Sequence, residues 1–370
     1  MVASALLRAI RSIKTRGAAS GGFCSLAVLA LLVLTSCQSD PNTSPNSLNP
    51  GYPASDVPSD FPQMIAPANN PFTKAKAELG RYLFYDKRLS FDNTIACASC
   101  HLQERAFSDS NQFSRGVLHQ MGDRNAPGIV NVAYGDHFMW SGEFLSLEDQ
   151  ASGPIHNPIE MAFDTTNGDG KTVAKLSAEP RYASLFRAAW GDSMVTMQRV
   201  LQSIGSFERT FISGYSAYDL YNRGDQTAIS ASAKRGLGLF MSDTVSCFKC
   251  HAGFNFTDNN FHSTGLEFNS TYGGDRGRYL ITHDRNDIGK FKTPTLRNVG
   301  VTAPYEHDGR FATLEDVVRH YNSGGRHNPT QDSLVHDLHL SDQSILDLAE
   351  FLRSLTDDRF LHQPAFQSPW

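Results

Sequence analysis

Cys97-Ala-Ser-Cys100-His101 is the stretch on which the reading of this chain turns, and Cys247-Phe-Lys-Cys250-His251 repeats its pattern. The pattern is C-x-x-C-H. Two thiols at this spacing can each form a thioether to one vinyl group of a haem, and the histidine that follows is then held beneath the iron as its proximal ligand. A zinc or redox cysteine pair followed by a chance histidine would account for one copy. Two copies in one chain make coincidence a poor explanation. The spacing therefore predicts two covalent haems c, attached through Cys97, Cys100, Cys247 and Cys250, with His101 and His251 as iron ligands. Four of the six cysteines are used in this way. Cys24 lies in an N-terminal apolar segment and Cys37 at its end, so no thiol is left for a structural disulfide.

Outward from the motifs, the chain repeats itself. Pro127–Asp149 aligns without a gap on Pro294–Asp316, with identity at the Pro, Asn131/Asn298, Val132/Val299, Gly142/Gly309, Phe144/Phe311 and the closing Leu-Glu-Asp. Each copy lies downstream of its own haem motif, and each motif follows an expected helix ending in Leu-Phe, Leu83-Phe84 or Leu239-Phe240. An internal repeat of this kind sets the domain boundary, placed near residue 225. The expected organisation is 61–225 for an N-terminal haem domain and 226–370 for a C-terminal one. Trp140 in the first copy faces His307 in the second. Gln150 and Glu160 follow the first copy and Tyr321 follows the second, so one haem is expected to have a sixth protein ligand and the other an open face.

Helical spacing of apolar residues predicts a helix over 73–84 and others at 181–190, 194–212, 231–241, 313–322 and 342–355, with Thr313 and Ser341 as N-caps. The helix 194–212 is expected to pack between the two halves. No hairpin or alternating strand pattern stands out. The fold class is mostly α: two tandem cytochrome c-like haem domains related by internal duplication, with long haem-wrapping loops.

The 370 residues allow two domains, and 40% hydrophobic with 19% charged residues is ordinary for a soluble globular chain. A net charge of −5 with no basic stripe carries no nucleic-acid footprint. Residues 1–37 read as an export signal: Arg8, Arg11, Lys14 and Arg16 precede a short apolar stretch, Phe23–Leu34. An uncleaved anchor is the competing reading, and the apolar stretch is short for a span. Leu34-Thr-Ser-Cys37 resembles a bacterial lipobox. That resemblance implies cleavage before a lipid-modified Cys37, hence a periplasmic protein held to a membrane by acyl chains. Gln38 after the cysteine points to the outer membrane. Residues 38–60, rich in Ser, Pro and Asn, are expected to be a flexible tether, with folding beginning near Pro62.

Several stretches resemble the bacterial di-haem cytochrome c peroxidases and their MauG relatives. They are Leu79-Gly-Arg-Tyr-Leu-Phe-Tyr-Asp-Lys-Arg-Leu-Ser90, both haem motifs, Arg124-Asn-Ala-Pro127, Ser146-Leu-Glu-Asp-Gln150, Gly153-Pro-Ile-His-Asn-Pro-Ile-Glu-Met161, Pro294-Thr-Leu-Arg-Asn298 and Ala303-Pro-Tyr-Glu-His-Asp-Gly309. The resemblance covers about Asn70 to Asp357. It implies that the His101 haem meets hydrogen peroxide, that Glu160 is the acid–base residue of its distal pocket, and that Gln150 lies nearby. It further implies that Trp140 passes electrons between the haems and that the His251 haem receives them from a small donor such as a cytochrome c. A calcium ion is implied between the domains, on Asn125 and the backbone oxygens of Thr302 and Pro304; oxygen donors suit such a hard cation. A homodimer is left open.

There are two departures from the family pattern. Val117 stands where the peroxidases carry a histidine that ligates the first haem at rest. His119 is the nearby substitute, against its reading as an ordinary surface histidine. Tyr321 stands where a methionine usually ligates the second haem, as in MauG-like members, and no methionine occurs after Met241. Tyr321 as a plain helix-face aromatic, and Trp140 as plain core packing, are the bland alternatives. The reaction this implies is peroxide reduction, with Glu160 moving a proton from the inner to the outer peroxide oxygen as water leaves. Two other readings remain. One is a MauG-like enzyme whose high-valent iron oxidises side chains of a partner protein. The other is a non-catalytic di-haem electron carrier, against which Glu160 and Gln150 argue.

Overall fold

Residues 57–161, 169–266 and 274–370 are described by a computed structural model, and all of them lie in one compact unit, Ser44–Trp370. The expected signal segment with Cys37, and the tether up to residue 56, fall outside the described residues. Packing begins earlier than Pro62. Pro58 is buried, and Phe61 sits edge-on against Phe254 and Tyr134.

The chain is mostly helical. Thr73 caps α1 (Lys74–Phe84), its hydroxyl accepting from the Lys76 amide at 3.2 Å. A single tight turn, Cys97–Ser99, then presents the first haem motif. After it come α2 (Leu147–His156), α3 (Gly170–Ser177), α4 (Pro180–Trp190), α5 (Met197–Glu208) and α6 (Ala217–Asn222). Helix α7 (Ala231–Phe240) leads into the second motif and its turn Cys247–Lys249. Strand β1 (Phe261–His262) pairs antiparallel with β2 (Phe291–Lys292), with α8 (Tyr279–Thr282) between them. Helices α9 (Leu314–Asn322) and α10 (Asp342–Arg353) are capped by Thr313 and Ser341, and α11 (Asp358–Leu361) follows. The expected helices are present, and α2, α3, α6, α8 and α11 are additional.

One expectation is corrected. The helix read over 194–212 spans only Met197–Glu208 and packs on α1 and α2. The irregular chain after it gathers Asn131, Asn298 and Asp357. The Asn131 side chain exchanges two hydrogen bonds with the Ser213 backbone. Asn298 Nδ2 donates to Ser213 Oγ at 2.9 Å. Asp357 accepts from Ser213 Oγ and from the Gly214 and Tyr215 amides at 3.2, 3.0 and 2.9 Å.

Two helix pairs set the frame, and they cross alike. A Cβ on Gly80 of α1 would lie 1.9 Å from the Ser203 carbonyl of α5, and one on Gly236 of α7 would lie 1.9 Å from the Asp347 carbonyl of α10. Only glycine permits either approach. The resemblance continues where the sequence repeats. Asn131 and Asn298 both take left-handed backbone (φ 54° and 60°), and the bridge Phe138–Phe144 matches Tyr305–Phe311. One core gathers Phe84, Phe107, Phe207 and Phe211, with Phe107 and Phe211 stacked at 4.0 Å. The other gathers Phe240, Phe256, Leu314, Val318 and Phe351. Phe360 and Phe366, from the end of the chain, pack into the first core.

Candidate haem and peroxide site

Each C-x-x-C-H motif faces a cavity, and each proximal histidine is held in the same way. His101 Nδ1–H donates to the Phe107 carbonyl at 2.6 Å, and His251 Nδ1–H to the Phe256 carbonyl at 2.9 Å. A carbonyl only accepts, so the proton sits on Nδ1 and Nε2 keeps its lone pair for a metal. Burial lowers the pKa of both imidazoles, which keeps them neutral. The four motif cysteines are free thiols beside these histidines. This donor set fits two covalent haems. His262 places a ring nitrogen near Cys250 and Asp258, a grouping that would otherwise read as a small metal site. Cys250 is taken by the haem motif, and His262 is tied to Asp258 and Asp332 at 2.9 and 2.6 Å.

The cavity at His101, about 550 Å3 with its open mouth included, brings together Cys97, Cys100, Gln150, Pro154, Glu160 and Glu208. Gln150 and Pro154 share one face of α2, one turn apart. Glu160 lies just after α2, and its Oε1 accepts from Asn157 Nδ2 at 2.7 Å. Burial raises its pKa, against the lowering effect of the Asn157 hydrogen bond. Its backbone is pinned as well: Val117 N donates to the Glu160 carbonyl at 2.9 Å. A Cβ on Gly116 would lie 1.9 Å from the Ile159 carbonyl, so a glycine is needed where the two loops cross. Val117 is fully buried and His119 is exposed, outside the residues that line the cavity.

The cavity at His251 is larger, about 1430 Å3, and is lined by Tyr321 together with Cys247, Cys250, Trp140 and Glu306. Leu314, Val317, Val318 and Tyr321 form the inward face of α9. Burial raises the Tyr321 phenol far above its ordinary range, with the neighbouring Glu306 adding to the effect. His320, beside it, is turned away and bonded to the Thr264 carbonyl at 2.8 Å.

Trp140 lines the His251 cavity but not the one at His101. Its indole N–H donates to the Asn125 carbonyl at 2.8 Å, and its own carbonyl accepts from Lys292 N at 2.8 Å. His307, its counterpart in the repeat, is 6.3 Å away edge-on and stacks on Phe291 at 3.7 Å. The residues expected around calcium, Asn125, Thr302 and Pro304, line a third cavity of about 1100 Å3 that also touches Trp140. Asn125 Nδ2 is turned to the Asn111 carbonyl at 2.9 Å, and Arg105 Nη2 reaches the Ala303 carbonyl.

The sequence reading missed Ser114, Gly116 and Glu208 as cavity residues. Glu208 carried a signal, because it is the one acid on a stripe otherwise occupied by Val200, Ile204, Phe207 and Phe211. Among the described residues, no helix is long and apolar enough to cross a membrane.

Comparison with known proteins places these features in context. A family model described as di-haem cytochrome c peroxidase matches residues 74–227. The methylamine utilization protein MauG of Methylophilus methylotrophus is 35% identical over 291 residues, covering 78% of this chain and 85% of that protein. The cytochrome-c peroxidase IdrP1 of Denitromonas iodatirespirans is 34% identical over 326 residues, covering 80% and 85%. A solved MauG-like protein associated with microbial copper homeostasis superimposes with a TM-score of 0.81 at 34% identity, over 85% of this chain and 99% of that one.

Proposed function

The chain belongs to the family of di-haem cytochrome c peroxidases and MauG proteins, and on that premise we propose that it reduces hydrogen peroxide to water at the His101 cavity, with electrons from a small donor such as a cytochrome c. Two haems c, held by the C-x-x-C-H motifs, supply the redox chemistry. The observation that carries the reading is Glu160: a partly buried carboxyl with a raised pKa, held by Asn157, in the wall of the same cavity as His101. A carboxyl of this kind takes the proton from one peroxide oxygen and returns it to the other, so that water can leave. Gln150 supplies an amide to orient the substrate. Val117 offers no donor atom, so a haem held by His101 would be left accessible to peroxide on the side of Glu160. Trp140, which lines the His251 cavity, carries electrons from that side towards the His101 haem. Tyr321 would supply a second protein ligand to the haem held by His251, and Asn125, Thr302 and Pro304 would hold a calcium ion. Each half, on either side of a boundary near 225, is one copy of a duplicated haem domain. Export to the periplasm, with a lipid on Cys37 holding the protein to the outer membrane, completes the proposal.

A MauG-like role, oxidising side chains of a partner protein, is favoured by one specific observation. Tyr321 lines the His251 cavity where a methionine would serve an ordinary peroxidase. The test of the main reading is steady-state turnover with peroxide and reduced cytochrome c. Glu160→Gln should keep both haems and lose about 10²–10⁴-fold in turnover. A variant with unchanged turnover means that the cavity does not do acid–base work on peroxide.

A further inference from the structure

Glu208 is a second carboxyl in the wall of the His101 cavity. It is the last residue of α5, one turn beyond Ile204, and both side chains line the cavity with Glu160, Gln150 and Cys97. It is 4% exposed, and its Oε2 has no hydrogen-bond partner. The charged groups around it are engaged elsewhere. Arg209 is bidentate with Glu148 of α2 at 2.7 and 2.9 Å. Glu148 also accepts from Asn70 at 2.6 Å, and Lys76 of α1 donates to Asn70 and to the Pro71 carbonyl. Facing the same space are Cys97, the neutral His101 and Glu160. Arg209 favours the ionised form of Glu208 and Glu148 opposes it, but burial is the largest effect, and an ionised carboxylate with one oxygen left unpaired is costly there. The group keeps its proton instead, and burial pushes its pKa up to about 8.

We propose that Glu208 is a second proton-holding residue of the His101 cavity and supplies one of the two protons that peroxide reduction consumes. The inference rests on the peroxidatic reading of that cavity. The balance is H2O2 + 2 e⁻ + 2 H⁺ → 2 H2O. Glu160 shifts a proton that is already on the peroxide and adds none to the balance. The two electrons come from the reduced donor cytochrome, and the two protons must enter a buried space. Glu208 gives its O–H proton towards the oxygen that leaves as the second water, becomes a carboxylate, and recovers a proton from solvent before the next turnover.

The test uses the holoenzyme in wild-type, Glu208→Gln, Glu208→Asp and Glu160→Gln forms, each first shown to carry two haems. Turnover is followed from pH 6 to 9, and the reduction potential of the His101 haem is titrated over the same range. In wild type, turnover and potential should both fall as pH rises through about 7–9, because the acid loses its proton there. Glu208→Gln should turn over about tenfold or more slowly, with a potential independent of pH in that range; Glu208→Asp should restore the pH dependence. A Glu208→Gln protein with the wild-type profile and slope overturns the proposal. Should that variant fail to take up its haems, the wild-type potential decides alone, and a flat titration from pH 7 to 9 overturns it. Glu160→Gln should lose turnover and keep the slope. If it keeps wild-type turnover, the peroxidatic reading itself fails, whatever Glu208 does.

Discussion

At the scale of the residue, Tyr321 separates an ordinary peroxidase from a MauG-like enzyme. Its hydroxyl shares the cavity of Cys247, Cys250 and His251, and burial keeps the phenol neutral in the absence of a metal. Ligation to ferric iron would supply the charge that burial denies it. A phenolate favours the higher oxidation states of iron, whereas a thioether favours ferrous iron and raises the potential. Tyr321→Met should therefore raise the potential of the second haem in a spectroelectrochemical titration and leave the first unchanged. Equal potentials in wild type and variant would remove Tyr321 from the ligand set. His320 is no ready substitute, since its Nε2 is held by the Thr264 carbonyl. The same scale shows the limit of reading residues singly. Trp140 and His307 match in the repeat, but that they meet edge-on at 6.3 Å is a fact of folding.

At the scale of the element, the frame depends on two helix crossings built alike. Gly236 lets α7 approach α10 until the two backbones touch, as Gly80 does for α1 and α5. Gly236→Ala would drive a methyl group into the Asp347 carbonyl and displace Phe351, whose Cβ lies 2.9 Å from the same point. Overpacking of this kind costs about 1–3 kcal/mol, and denaturant unfolding of the holoprotein should show at least that loss. Alanine ordinarily favours a helix over glycine, so an unchanged or higher stability would mean that the crossing relaxes freely. The helices that frame the haems were legible because their apolar faces repeat with helical spacing and their caps are Thr73, Thr313 and Ser341. Helix α2 was not, because Gly153 and Pro154 interrupt its pattern. Its role in holding Gln150 against the cavity comes from packing on α5.

At the scale of the whole molecule, the irregular chain after α5 meets the C-terminal segment at Asp357. Asp357 is 2% exposed and ties both features together. Its Oδ2 accepts from Ser213, Gly214 and Tyr215, and its Oδ1 caps α11 through the Phe360 amide at 3.2 Å. Phe360 then enters the first aromatic core. Asp357→Ala leaves buried donors without an acceptor, and the expected loss is roughly 2–4 kcal/mol of unfolding free energy. A loss below about 1 kcal/mol would mean that water replaces the carboxylate and that the joint is not held there.

What the sequence determined by itself is local chemistry and local order. C-x-x-C-H is legible in sequence because both thioethers and the proximal ligand come from five consecutive residues. Helix positions followed from periodicity and caps, for the same reason of short range. What the tertiary structure decided is which distant groups share a space. Glu208 and Glu160 lie on different elements and line one cavity. Helix α5 stops at Glu208 and leaves the join to side-chain hydrogen bonds. Phe360 and Phe366 cross to the far core. None of these is written in any one stretch, because burial is a property of what packs against a residue, and the partners come from parts of the chain that only folding brings together.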